Sequence, residues 1–183
     1  MRNWFLLLIA VGALALTRPV PAAQDDHRLA ALFQRLQTAD PMASRAIEER
    51  IWEIWTESEN AAVSRLMARG ILAMAHEDLA GAVRSFSAVT HLAPGYAEGW
   101  NKRATAHYLA GDFDASVRDI ARTLELEPRH FGALSGFGLI NLALGREAPA
   151  LKAFERALEV HPHLSGTRER IRALRERLKG KAL

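Results

Sequence analysis

Seven histidines and no cysteine bound the chemistry open to this chain. Without a thiol there is no disulfide, no Cys-ligated zinc or iron–sulfur cluster, no thiolate nucleophile and no N-terminal Cys to carry an acyl anchor. The histidines (His27, His76, His91, His107, His130, His161 and His163) are dispersed, and none stands in the H-x-x-x-H or H-E-x-x-H spacing that sets metal ligands on one helix face. His161-Pro162-His163 is the nearest approach to a ligand pair, and a loop ending a repeat explains it better, since metal sites demand defined ligand geometry. Gly132, Gly136 and Gly138 sit inside a helical pattern and follow no strand, which makes them packing glycines rather than a phosphate loop. No G-x-S-x-G nucleophile elbow occurs. The residues therefore predict no catalytic group, no metal and no cofactor; a hydrolase would need a polar constellation that the sequence does not offer.

The elements that would carry any site are helices. The 183 residues are 49% hydrophobic and 25% charged, a soluble globular balance, and Ala, Leu, Arg and Glu dominate. The class expected is all-α. Charge is nearly even, 24 Lys+Arg against 21 Asp+Glu, but unevenly placed. Residues 164–183 hold seven basic and two acidic side chains, whereas 24–163 hold 15 and 19. The basic end reads as a solvated helix with alternating salt-bridging charges. The alternatives are a surface for anionic lipid or nucleic acid, or a contact that docks on an acidic flank of a second copy. Its narrow stripe without aromatics argues against a membrane role, and no nucleic-acid partner is expected.

The N-terminus has three regions. Met1-Arg2-Asn3 is positive, Trp4 to Leu16 is an apolar run of 13 residues, and Thr17 to Ala23 breaks the helix and offers small residues. That is the plan of a secretory signal peptide, with Val20 and Ala22 favouring cleavage after Ala22. A permanent span needs about 20 apolar residues, so an uncleaved anchor is the weaker alternative. The location expected is periplasmic.

Pro94, Pro128 and Pro162 are spaced by 34 and 34, a period that identifies a repeat architecture. Aligned on them, 63–96, 97–130 and 131–164 agree column by column. Position four is large (Leu66, Trp100, Leu134). Positions eight (Gly70, Ala104, Gly138) and twenty (Ala82, Ser116, Ala150) are small, and position twenty-four is apolar (Phe86, Ile120, Phe154). Small residues let the two helices of a hairpin approach at positions eight and twenty, and large ones at four and twenty-four fill the wedge toward neighbouring hairpins. The prolines end the second helices. Gly111-Asp112 and Gly145-Arg146 supply left-handed stops between helices, with Asp112 placed as a cap. Pro149 suits the first turn of its helix.

These columns resemble the tetratricopeptide repeat (TPR) signature W-x-x-L-G-x-x-Y…A-x-x-x-F…A…P. The middle unit carries it through Trp100, Ala104, Phe113 and Pro128, and the third through Gly138, Ala150, Phe154, Ala157 and Pro162. The first departs from it, with Glu77 at the inter-helix glycine and Val89 at the usual alanine. The whole chain resembles short secreted alphaproteobacterial TPR proteins. The resemblance implies a right-handed superhelical stack of antiparallel helix pairs. It also implies a concave groove lined by positions two, five, nine and twelve. Those are Ser64, Met67, Ile71 and Met74; Glu98, Asn101, Thr105 and Tyr108; and Gly132, Ser135, Leu139 and Leu142. Chaperone-tail receptors of this family grip a carboxylate with Lys, Arg and Asn; only Asn101 fits that scheme, so no carboxylate clamp is expected.

The flanks complete the expectation. Residues 23–62 form a helical hairpin split at Asp40-Pro41, with Leu29, Leu32, Phe33 and Leu36 on one face and Ile47, Ile51, Ile54 and Trp55 on the other. It is expected to cap the N-terminal side of the stack, while 165–183 cap the other end through a stripe of Leu164, Ile171, Leu174 and Leu178. The function expected is a periplasmic scaffold holding a protein or peptide segment in its groove, as a monomer or weak homo-oligomer. The alternative for the groove is that Met67, Ile71, Leu139 and Leu142 are covered by neighbouring helices.

Overall fold

The computed structural model describes residues 23–180; the expected signal segment 1–22 lies outside the described residues, as do 181–183. Among the described residues are a 3-10 turn (Ala23–Asp25), nine α-helices and no strand. The N-terminal hairpin is α1 (His27–Leu36) and α2 (Pro41–Thr56). The repeats are α3 (Ala61–Ala75) with α4 (Leu79–Leu92), α5 (Ala97–Leu109) with α6 (Phe113–Leu126), and α7 (Phe131–Ala143) with α8 (Glu147–Val160); α9 (Thr167–Gly180) closes the stack.

The ends of these helices follow from their sequence. Asp26, Asp40, Asn60, Asp78 and Asp112 each accept a backbone N–H in the first turn of the helix they precede. Gly111 and Gly145 take positive φ, 78° and 69°, at the turn inside the second and third repeats. Glu77 holds the equivalent turn of the first repeat at φ 59°, a conformation that strains a residue with a Cβ.

Within each repeat, sizes at positions eight and twenty-four are matched. A Cβ on Gly70 would stand 2.5 Å from Phe86 Cε1, and one on Gly138 2.6 Å from Phe154 Cε1. Where position eight is Ala104, position twenty-four is the slimmer Ile120. Positions eight and twenty do meet in the middle repeat, where Ser116 Oγ donates to the Ala104 carbonyl at 2.7 Å. In the outer repeats the glycines receive the phenyl rings, so position twenty-four fills its own hairpin as well as the wedge beyond it.

The N-terminal hairpin does not sit where the sequence suggested. Its apolar faces share one cluster with Phe131, Val160 and Leu164, so it lies across the inter-repeat turns and the first turns of α5 and α7. The reason is visible on α3. In the second repeat, Gly99 and Arg103 (positions three and seven) face α4. The same positions of α3 carry Arg65 and Arg69, both exposed and suited to water. The first repeat thus ends the stack by itself, and the hairpin finds its apolar partner elsewhere. At the other end α9 begins at Thr167, so Leu164 is not on its stripe but packs on the hairpin; Ile171 and Leu174 are buried against Ala150 and Phe154. Among the described residues no helix is long and apolar enough to cross a membrane.

Candidate protein-binding surface

The head of the first-helix face is built around His130, which precedes α7. Its Nδ1 accepts the Ala133 N–H at 3.1 Å and so caps the helix. The ring proton must then sit on Nε2, which donates to Glu98 Oε2 at 3.0 Å. Both side chains are fully buried. Glu98 also accepts from Asn101 Nδ2 at 2.9 Å, and Lys102 Nζ lies 3.1 Å from its other oxygen, as an ion pair outside hydrogen-bond geometry. Burial pushes the Glu98 carboxyl up, but the His130 hydrogen bond and the Lys102 charge outweigh it and hold the group below its ordinary range.

The hairpin closes over this cluster. Trp55 stacks on His130, and Trp52 meets Phe131 edge-on, lies under the Lys102 ammonium at 5.6 Å and occupies the space that a Cβ on Gly132 would need. Gln37 Nε2 donates to the Val160 carbonyl at 2.7 Å, and Gln24 Nε2 to the Gly95 carbonyl at 2.6 Å. His161 repeats the logic of His130: Nδ1 accepts the His163 N–H and Nε2 bonds Glu48 Oε2 at 3.0 Å, tying α2 to the end of α8. That bond holds the Glu48 carboxyl below its usual value. The His161-Pro162-His163 loop therefore uses its first imidazole in a hairpin contact. Among the described residues no three metal-ligating side chains converge.

The residues expected to line the groove fall into different surroundings. Met67 is buried in the first-repeat core with Val63 and Phe86, Met74 packs at its edge, and Ile71 is 45% exposed. Ser64, at position two of that helix, is exposed. Asn101 is buried and turned onto Glu98. Thr105, Tyr108, Ser135, Leu139 and Leu142 form the half-buried continuation of the face beyond the hairpin. Tyr108 rests on Phe113, and Leu139 and Leu142 lean on the cluster beneath α8 and α9. Sequence reasoning missed His130, Glu98 and Trp52 as a unit, because it placed the hairpin at the wrong end.

A second missed feature joins the first two repeats. Arg103 makes a two-pronged bond to Asp119, both prongs 2.7 Å, and reaches Thr90 Oγ1 at 3.0 Å. Trp100 lies against its guanidinium, 4.8 Å from ring centroid to Cζ, and donates Nε1–H to the Pro94 carbonyl. The available signal was a charged residue at positions seven and twenty-three, where the third repeat has Phe137 and Ala153.

The tetratricopeptide repeat family profile matches residues 67–118 and 101–165. The chain belongs to the TPR family. A TPR repeat-containing protein of Rhizobium etli is 36% identical over 155 residues, 84% of this chain and 76% of that protein. Four other curated relatives are longer relative to the match, and the chain spans at most 58% of any of them. Among solved structures, MamA aligns with a TM-score of 0.61 at 19% identity, over 82% of this chain and 84% of MamA. The TPR2B domain of yeast Sti1, solved in its pHsp70 complex, aligns with a TM-score of 0.60 at 19% identity, over 64% of this chain and 99% of that domain. These two likenesses establish the TPR stack as the fold.

Proposed function

We propose that this protein is an exported, non-catalytic TPR adaptor that holds a helical or extended apolar segment of a partner protein on its first-helix face. One observation carries the reading: that face already holds an amphipathic hairpin of the chain itself, through stacked aromatics, the Glu48–His161 hydrogen bond and side-chain amides on backbone carbonyls. It continues past the hairpin as the half-exposed strip of Thr105, Tyr108, Ser135 and Leu139. Such a strip suits an apolar helix or peptide. The Sti1 domain's complex supports the class of ligand, but an acidic tail is not the expected one here, because Glu98 places a carboxylate beside Asn101. The positive, apolar and small-residue segments of 1–22 support export to the periplasm.

The test is chemical crosslinking in cells, followed by fractionation and sequencing of the mature N-terminus. A Thr105→Arg, Ser135→Arg double variant, which crowds the strip without entering the core, is expected to lose the polypeptide crosslinks that the wild type makes in the envelope fraction. Identical adducts in both, or a protein retained in the cytoplasm with residues 1–22 intact, would overturn the reading.

A further inference from the structure

The seam between consecutive repeats recurs twice on the second-helix face, with the same backbone plan and opposite chemistry. Between α4 and α6 it is filled: Trp100, Arg103 and Asp119, at positions four, seven and twenty-three, interlock, and Ser87 and Thr90, at positions twenty-five and twenty-eight of the repeat before, approach the guanidinium. Between α6 and α8 the equivalent residues are Leu134, Phe137 and Ala153, facing Ala121 and Leu124. Every polar group of the first seam has been replaced by an apolar one, and the bulky indole by a smaller Leu.

The outcome is an open trough of about 520 Å³, with Ile120 and Leu134 buried in its floor and Leu124, Ala121 and Pro149 along its walls. The charged side chains that border the trough itself are Lys152 and Arg156, one turn apart on α8. Both are exposed, and among the described residues neither pairs with a carboxylate. Nearby, Arg122 of α6 pairs with Glu125, and Arg175 of α9 with Glu155.

We propose that this trough is a second docking surface, and that its occupant is an acidic amphipathic helix of a partner protein. The apolar stripe of that helix would lie on Leu124, Leu134 and Phe137, and its Glu or Asp residues would meet Lys152 and Arg156. Its lining follows about two turns of α6, from Val117 to Leu124, and of α8, from Ala148 to Arg156, a length on which a helix can be laid. The opposite charge fixes its orientation and its rate of encounter. This inference rests on the adaptor reading for its class of ligand but assigns a different face.

The probe is a synthetic amphipathic helix with a leucine stripe flanked by Glu, labelled for fluorescence anisotropy, and a twin flanked by Lys. The Glu peptide is expected to bind the full mature chain, with affinity falling as salt rises, and to outcompete the Lys twin by about tenfold. Lys152→Glu with Arg156→Glu should weaken it by about tenfold or more, whereas Arg65→Glu with Arg69→Glu, on the far end of the stack, should not. A second variant rebuilds the filled seam in the trough (Leu134→Trp, Phe137→Arg, Ala153→Asp, Leu124→Thr) and should abolish binding while circular dichroism stays helical. Should that variant fail to fold, the charge pair decides alone. Equal binding of both peptides, or indifference to the Lys152 and Arg156 reversals, overturns the proposal. Loss of binding only in the Thr105→Arg, Ser135→Arg variant overturns it while leaving the adaptor reading intact.

Discussion

The indole of Trp55 lies flat on the imidazole of His130, with ring centroids 4.1 Å apart and planes 7° from parallel. The contact joins the N-terminal hairpin to the turn between the second and third repeats. His130 cannot be exchanged cheaply, because the same ring caps α7 and satisfies Glu98. His130→Ala would take one donor from the buried Glu98 carboxylate, which keeps Asn101 and Lys102, and would remove the cap of α7; a loss of about 2–4 kcal/mol is expected from the charged hydrogen bond and the cap together. His130→Asn, which restores a capping side chain, should recover a minor part. Urea unfolding followed by tryptophan fluorescence measures both.

Two glycines of α7 should respond to alanine with opposite signs. At Gly138 a new Cβ meets the fully buried Phe154 ring, so Gly138→Ala is expected to destabilise by about 1–3 kcal/mol through overpacking. At Gly136 the nearest atom is Ile120 Cδ1 at 3.6 Å, an ordinary contact, so Gly136→Ala gains helix propensity and should stabilise by up to about 1 kcal/mol. Paired thermal melts test the contrast.

Glu77 is the third glycine position of the turns inside the repeats, filled by a residue with a Cβ at φ 59°. Glu77→Gly relieves about 1 kcal/mol of left-handed strain, part of which is offset by the greater freedom of glycine in the unfolded chain. A raised melting temperature is expected; an unchanged or lowered one contradicts the strain argument.

Acid should weaken the hairpin first. The Glu48 carboxyl is held below its ordinary value by His161, and Asp26, bonded by Arg28, lies at about 2. A carboxyl depressed in the fold stabilises it above the unfolded pKa of about 4, and that contribution is lost as pH falls through the folded value. Stability is therefore expected to decline between about pH 5 and pH 2, and Glu48→Gln should make the decline shallower while lowering stability at pH 7. Denaturant midpoints across that range check the slope.

Much of this fold is legible in local pattern. The proline register, the glycine stops and the aspartate caps each act within a few residues; α5 and α7 begin at Ala97 and Phe131, and α3 begins at Ala61. The placement of the hairpin was not legible, because it depends on a comparison between distant surfaces: Arg65 and Arg69 make one end of the stack polar, while Phe131, Val160 and Leu164 leave an apolar seat some 70 to 130 residues away. The periodic pattern records that a helix has an apolar face and not which surface covers it. The groove positions suffered for the same reason. Met67 follows the column assigned to ligand contact, yet in this short stack it completes the core of the first repeat. The contrast between the two seams was readable in principle, since Arg103 and Asp119 stand in columns where the third repeat has Phe137 and Ala153.

The most direct test of the adaptor account is site-resolved photo-crosslinking in cells, with a photoreactive side chain placed singly at Tyr108, Ala121 and Arg69. The account predicts adducts with a distinct polypeptide at Tyr108 on the first-helix strip and at Ala121 on the trough, and none at Arg69 on the polar end of the stack. Absence of any polypeptide adduct at Tyr108, or equal adducts at all three positions, would contradict it.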